Sequence, residues 1–402
     1  MDYADAIDWL YAAQGRGIKL GLETTEQLAD RMAPRWRALR FLHVAGTNGK
    51  GSVCAMATAL LRAAGFRVGC YTSPHLVHFS ERITLDGVGD SEDVLANELT
   101  QLRGVIESLE MRPTFFECTT VLALMRFTAT HPDFVVWETG LGGRLDSTNI
   151  VTPLVSLITR IGLDHQEYLG NSLKEIALEK AGIIKPGVPV CSVPQELAAV
   201  RVLEDSALKA GADITFVDRY EPPLPLALAG AHQQFNAALA IAACERAGVS
   251  LEPEHVRSVL SSVRSPGRFQ LLEPNLYLDG AHNPAAAEAL VQTWMDTCGS
   301  TRPVVVVGLM RDKDAVGVIS ALARVASRFV TVSAQSPRAL DAESIAGVCR
   351  QCGAHDVQAV DSLAAFFHDW DGVQPVLITG SFFLVGEALA LRSAQPFRRT
   401  AQ

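Results

Sequence analysis

The sequence predicts an α/β protein of two unequal domains, a larger one on a mostly parallel sheet and a smaller Rossmann-like one after it. Three observations carry this. Apolar, β-branched runs alternate with helical patterns along the whole chain, as parallel sheets covered by helices on both faces require. A Gly-rich turn, Gly46-Thr47-Asn48-Gly49-Lys50-Gly51-Ser52, stands between an apolar run and a helix-like segment. A turn-rich break, Arg264-Ser265-Pro266-Gly267-Arg268, precedes a second strand–helix alternation. At 402 residues the chain is too long for one core, and the break divides it into domains 1–266 and 267–402.

In the first domain, strands are expected at Phe41–Val44, Arg67–Tyr71, Phe134–Trp137, Val155–Ile158, Val188–Ser192 and Ile214–Phe216. Helices are expected at Val53–Ala64, Val94–Met111, Glu117–Thr130, Ser172–Ala181 and Gln233–Ala247. The last of these is Ala-rich and free of Gly and Pro. The second domain is expected to run strand Tyr277–Asp279, helix Pro284–Asp296, strand Val304–Gly308, helix Ala315–Ser327, strand Phe329–Ser333 and strand Val376–Thr379.

Composition narrows the function. A net charge of -9 leaves no basic stripe for nucleic acid, so small molecules are the expected partners. The acidic start Met1-Asp2-Tyr3-Ala4-Asp5 is unlike a signal peptide, and no apolar run reaches membrane-spanning length. A cytoplasmic monomer, bound to neither membrane nor nucleic acid, is expected. The eight cysteines are scattered and read as reduced thiols. Cys349 and Cys352 form a lone C-x-x-C in a helical stretch starting at Ala342, without the second pair a zinc site needs.

The Gly-rich turn has the parts of a phosphate cradle, and marks a P-loop ATPase-type domain. Glycines let backbone N–H groups close on phosphate oxygens at a helix start. Lys50 would supply a mobile positive charge to the β/γ-phosphates, and Ser52 a hydroxyl near Mg²⁺. Two positions depart from the common spacing: Val44 stands where a Gly is usual, and Gly51 where Ser or Thr follows the lysine.

Other motifs fall at strand ends, where open α/β sheets place ligand chemistry. Glu138 opens Glu138-Thr139-Gly140-Leu141-Gly142-Gly143-Arg144-Leu145-Asp146, and is a candidate to orient a metal or water. Asp164-His165 follows the next strand. Lys180, in Glu179-Lys180-Ala181-Gly182-Ile183, reads from the residues alone as a lysine compensating a helix dipole. Asn236 opens the Ala-rich helix, where it could equally satisfy its own backbone. Asp279-Gly280-Ala281-His282-Asn283-Pro284 has the punctuation of a ligand loop running into a helix.

Gly-Thr-Asn-Gly-Lys-Gly-Ser and the motifs after it, in order from Gly46 to Ser381, resemble the folylpolyglutamate and dihydrofolate synthases, relatives of the Mur ligases. The resemblance implies an ATP-dependent ligase that adds L-glutamate to dihydropteroate and to reduced folates through an acyl phosphate. It implies two Mg²⁺ sites, held by Ser73 of Ser73-Pro74-His75-Leu76, by Glu138 and by His165. Lys180 would be carbamylated and act as an anion beside them. Nucleotide binding would fall to Gly46, Thr47, Asn48, Gly49, Lys50, Gly51 and Ser52, with Asn236 on adenine, Arg268 on the phosphates and Asp279 by the ribose. Lys50, Lys180, His165 and Arg268 would carry catalysis. Thr114, Phe116 and Asp146 would contact the pterin substrate, although Phe116 could equally be core. His282, Lys313 and Ser381 would take glutamate.

Two other readings compete. A Mur-type UDP-muramoyl ligase would need a sugar-binding domain, and only 42 residues precede His43. A P-loop nucleotide-binding protein without ligase chemistry would explain the first motif and leave the others without a role.

Overall fold

The computed structural model describes residues 1–17 and 21–395. Strands β1 (Phe41–Ala45), β2 (Val68–Tyr71), β3 (Ile83–Leu85), β4 (Val88–Gly89), β5 (Phe134–Glu138), β6 (Val155–Ile158), β7 (Val190–Ser192) and β8 (Ile214–Phe216) form one sheet. Its order is β4-β3-β2-β5-β1-β6-β7-β8. The pairs from β2 to β8 are parallel, whereas β3 and β4 add on antiparallel at one edge.

Strands β9 (Gln270–Glu273), β10 (Leu276–Leu278), β11 (Val304–Val307), β12 (Arg328–Val332), β13 (Val357–Val360) and β14 (Val376–Thr379) form a second sheet, ordered β13-β12-β11-β14-β10-β9. It too is parallel except for β9. All four valines of β11 are buried, as expected for a strand covered on both faces. The α/β class with a larger and a smaller parallel-dominated sheet is therefore as the alternation of patterns implied.

Position β1 at the centre of the first sheet explains much of the packing. On one face Phe41, Tyr71 and Trp137 form an aromatic group with ring centroids 5.4 and 4.7 Å apart. Helices Tyr3–Ala12, Glu23–Met32 and Phe115–Thr130 close over it. Burying each such aromatic ring is worth about 2–3 kcal/mol. On the other face helix Lys50–Ala63 packs against the Ala-rich helix His232–Arg246, whose small side chains allow close approach.

Several boundaries differ from the sequence reading. The helix after the Gly-rich turn starts at Lys50, because Gly49 at φ 98° makes the entry. Strand β7 starts at Val190, and the helix expected to reach Ser327 stops at Leu322. The helix expected at Val94–Met111 runs Glu92–Ser108, capped by the Ser91 hydroxyl. Strand β10 ends at Leu278, which leaves Asp279 in the loop. Short antiparallel strands β3, β4 and β9, edge strand β13, and helices Leu197–Ala210 and Phe382–Ser393 were not foreseen. The strands are only two to four residues long, too short to show a period, whereas the two helices carry a mixed apolar and charged pattern that the reading passed over. All eight cysteines are free thiols. Among the described residues no helix is long and apolar enough to cross a membrane.

Candidate active site

The C-terminal ends of β1, β5 and β6 open onto the loops that follow β10, β11, β12 and β14, so the two sheets face each other across a cleft. Register explains why the N-terminal motifs converge. Val44 pairs with Glu138, and Ala45 with Ile158, so the Gly-rich turn, Glu138 and the Asp164-His165 loop leave the sheet side by side. Val44 is fully buried within β1, so the strand runs straight through the position where other phosphate loops begin to turn.

Two of the turn's glycines are sterically required. Gly46 has φ 151°, and a Cβ there would lie 1.8 Å from Thr159 Oγ1. Gly49 has φ 98°, and a Cβ there would lie 2.6 Å from Asn236 Oδ1. The loop is thereby wedged against Asn236, whose Nδ2 donates to Gln233 Oε1 at 2.9 Å.

Two cavities meet at this turn. The first, of ≈ 520 Å³, is bordered by Asn48, Gly49, Ser52, Asn236, Arg268 and Asp279. The second, of ≈ 490 Å³, is bordered by Gly46, Thr47, Lys50, Ser73, Glu138 and His165, and also by Lys180. Thr114, Phe116 and Asp146 line its N-terminal wall, and His282, Lys313 and Ser381 its C-terminal wall. Arg268 borders both cavities, with its guanidinium 4.4 Å from the Phe382 ring centroid. Gly51 lines neither; it sits in the first helical turn, facing Arg268. The sequence-predicted residues are otherwise gathered around one continuous space.

Charges in the second cavity are close-set. Lys50 Nζ donates to the Gly46 and Thr47 carbonyls at 3.2 and 3.4 Å, curled over its own loop. Glu138 is buried, and its Oε2 accepts the Ser73 N–H at 3.1 Å. Burial raises its carboxyl above the ordinary range, opposed by the charge of Lys50. Lys180 is buried and donates to the Gly46 carbonyl at 2.9 Å. Burial first, and then Lys50, pull its amine down to about 7. His165, at φ 50°, is held neutral, pulled down to about 3 by burial and then by the charge of Lys313.

Asp164 is the hub that the sequence signalled only as the neighbour of His165. Lys313 Nζ lies 2.6 Å from its Oδ1. His282 Nε2 and Asn283 Nδ2 lie 3.3 and 3.0 Å from its Oδ2. Burial alone would raise this carboxyl, but the His282 hydrogen bond and the charge of Lys313 hold it well below the carboxylate range. Three side chains of the second domain thus converge on one carboxylate of the first. Chain separations of more than a hundred residues hide such a cluster from any motif.

Some site residues also serve the backbone. Both Asp146 oxygens are occupied by their own loop, accepting from Leu141 N at 2.7 Å and Thr148 N at 3.0 Å. Asp279 likewise accepts from Phe269 N and Ala281 N, both at 2.8 Å. Thr114 and Ser381 cap helices, accepting from Glu117 N at 3.3 Å and Leu384 N at 3.2 Å. Phe116 is half-buried at the cavity wall, at once core and lining.

A Gly-rich turn on one domain, facing Lys313 and Arg338 of a second domain across a shared cleft, fits a two-domain ligase of the Mur type. Family models agree: residues 44–193 match the Mur ligase middle domain, and residues 267–382 the Mur ligase glutamate ligase domain. The dihydrofolate synthase/folylpolyglutamate synthase of Bacillus subtilis (strain 168) is 35% identical, over 96% of this chain and 98% of its own. That of Escherichia coli (strain K12) is 33% identical, over 98% and 96%. Escherichia coli FolC in complex with DHPP and ADP superposes with a TM-score of 0.88 at 30% identity, covering 98% of each chain. The Yersinia pestis enzyme complexed with AMPPNP and Mn ion gives 0.86 at 30% identity, again covering 98% of each. The chain belongs to the dihydrofolate synthase/folylpolyglutamate synthase family, and is an ATP-dependent glutamate ligase of folate metabolism.

Proposed function

We propose that the cleft adds L-glutamate both to dihydropteroate and to reduced folates, with ATP bound across Asn48, Gly49 and Asn236 in the first cavity. The observation that carries this is the single cavity shared by Lys50, Glu138 and Lys180 of one domain and His282, Lys313 and Ser381 of the other. A substrate carboxylate lying there attacks the γ-phosphorus, the bridging P–O bond breaks, and ADP leaves. The glutamate amine then attacks the acyl phosphate, releasing phosphate and a proton and forming the amide. Lys50 and Arg268 carry positive charge to the phosphates, where the transition state needs it most. No protein nucleophile is required.

The donor set fits Mg²⁺. Among the described residues no cluster of three or more His, Cys, Asp or Glu could hold a cation unaided. Glu138 with the Ser73 hydroxyl, and the neutral imidazole of His165, instead offer partial sets, suiting a cation that keeps waters and takes phosphate oxygens. Bound there, Mg²⁺ would offset the negative charge of the phosphates, at two sites. Lys180 supports a carbamate: burial makes its neutral amine available, and that amine can add CO₂ with loss of one proton to give an anion.

Thr114, Phe116 and Asp146 would hold the pterin end. The oxygens of Asp146 are already engaged by its loop, which favours a role in shaping that wall. The test is ADP release with ATP and L-glutamate, offered dihydropteroate, a tetrahydrofolate or a UDP-muramoyl acceptor in turn. Release with both pteridine acceptors and not the third is expected; release only with the UDP-muramoyl acceptor would overturn the reading.

A further inference from the structure

Of the three residues assigned to glutamate, the tertiary structure occupies each. Ser381 Oγ caps a helix by accepting from Leu384 N. His282 has Nδ1 2.8 Å from the Gly280 carbonyl and Nε2 facing Asp164. The Lys313 side chain is 6% exposed and paired to Asp164 at 2.6 Å and Asp312 at 3.6 Å. L-Glutamate brings two carboxylates to this wall, and one buried ammonium between two aspartates is a poor partner for both.

Arg338 borders the same cavity and stays 40% exposed. Its Nη2 donates to Asp312 Oδ1 at 2.9 Å, and a guanidinium has four further N–H donors. The loop that carries it is pinned before any ligand arrives. Arg311 N donates to the Arg338 carbonyl at 3.0 Å, Leu340 N to the Leu309 carbonyl at 2.8 Å, and Met310 bridges Ala339. The loops after β11 and β12 are thus clipped together at the sheet's C-terminal edge, which fixes where the guanidinium starts.

We propose that Arg338, aimed by Asp312, takes the side-chain carboxylate of the incoming L-glutamate and so selects this amino acid; this rests on the ligase reading above. The two carboxylates can be told apart by distance from the reacting amine. The α-carboxylate shares a carbon with that amine and must lie near the reacting edge. Lys313 is there, 2.6 Å from Asp164 and 3.3 Å from His165 Nε2. Arg338 stands beyond Asp312, one ion pair farther out, where the extended side chain of glutamate ends. A planar guanidinium fork matches a carboxylate in a way an ammonium does not.

The experiment is initial-rate ADP release by the full-length enzyme at saturating ATP and dihydropteroate, with L-glutamate or L-glutamine varied. Arg338→Gln is expected to raise KM for L-glutamate by at least about tenfold, and to shrink the preference for L-glutamate over L-glutamine by a similar factor. KM for ATP should not move. Arg338→Lys should fall between, and it replaces Arg338→Gln as the readout if the latter does not fold. An unchanged KM for L-glutamate overturns the proposal. So does a raised KM with the preference intact, which would mean that Arg338 only braces its loop. Wild-type turnover that ignores L-glutamate would overturn the ligase reading itself, and is seen before any variant is made.

Discussion

The side-chain amides of Asn48 and Asn283 face each other across the cleft, each Nδ2 donating to the other's Oδ1, at 3.1 and 3.0 Å. Asn48 belongs to the Gly-rich turn and Asn283 caps the first helix of the second domain, with its Oδ1 also accepting from Ala286 N at 2.9 Å. Its Nδ2 reaches Asp164 Oδ2 at 3.0 Å as well. One residue therefore ties a helix start, the Gly-rich turn and the charged hub together.

Asn283→Asp keeps an oxygen for the helix cap but sets a carboxylate against Asp164 and Asn48 Oδ1. It is expected to loosen the interdomain clasp, seen as a larger radius of gyration by X-ray scattering and a kcat lowered by at least about tenfold, since proximity of the reactants is lost. Asn283→Ala should in addition cost about 1 kcal/mol of stability through the missing cap. Unchanged scattering and kcat in Asn283→Asp would show that the clasp is incidental.

Lys50→Ala removes the turn's own cation. A fall in kcat of at least about a hundredfold is expected, the size seen when a preorganised charge-stabilising group is deleted. Near-normal turnover would mean that the loop is not the catalytic phosphate site.

Glu138→Gln and His165→Ala should each shift the Mg²⁺ concentration needed for half-maximal rate upward. The circular dichroism spectrum should stay as in the wild type, because Glu138→Gln is close to isosteric and His165 lies in a loop outside the core. If neither variant moves the Mg²⁺ dependence, the metal assignment fails.

Lys180 should prove to be carbamylated. Its amine, pulled down to about 7, is mostly neutral above that pH and protonated below it, and the neutral form is the one that adds CO₂. Enzyme stripped of CO₂ should regain activity with bicarbonate faster above about pH 7 than below. Lys180→Ala should be inactive and partly rescued by small carboxylates. Electron density for an unmodified lysine in an active, nucleotide-bound crystal would refute the assignment.

His43 should make the protein acid-sensitive. It is fully buried in β1, with Nε2 3.1 Å from Thr148 Oγ1 and Nδ1 without a partner among the described residues. Burial, followed by the charge of Lys185, pulls its imidazole down to about 3. The unfolded chain would protonate this group near its ordinary 6.5, so the unfolded state binds the extra proton in between. Stability from this group is thus intact above about pH 6.5 and lost on descent toward about pH 3, a total of order 4–5 kcal/mol. Urea titrations at stepped pH should show His43→Gln to be flatter than wild type across that window; parallel curves would contradict the buried neutral state.

Much of this architecture was written locally. The alternation of β-branched runs with helical patterns specifies parallel strands, because side chains covered on both faces must be apolar. The glycines of the turn announce themselves as a motif between strand and helix, but that no side chain fits beside Thr159 or Asn236 is decided by the fold. Strand-end carboxylates such as Glu138 follow from the way open sheets expose their C-terminal edges. The ordered motifs from Gly46 to Ser381 point to the family by themselves. Partnership across the cleft was not legible. That Asp164 gathers Lys313, His282 and Asn283, that Asp146 spends its oxygens on its own loop and Asp279 on Phe269 and Ala281, and that the Arg338 side chain stays 40% exposed while that of Lys313 is covered all depend on how the chain packs. Sequence patterns report the periodicity of one element at a time, whereas charge pairing across a cleft depends on distances that only the folded chain fixes.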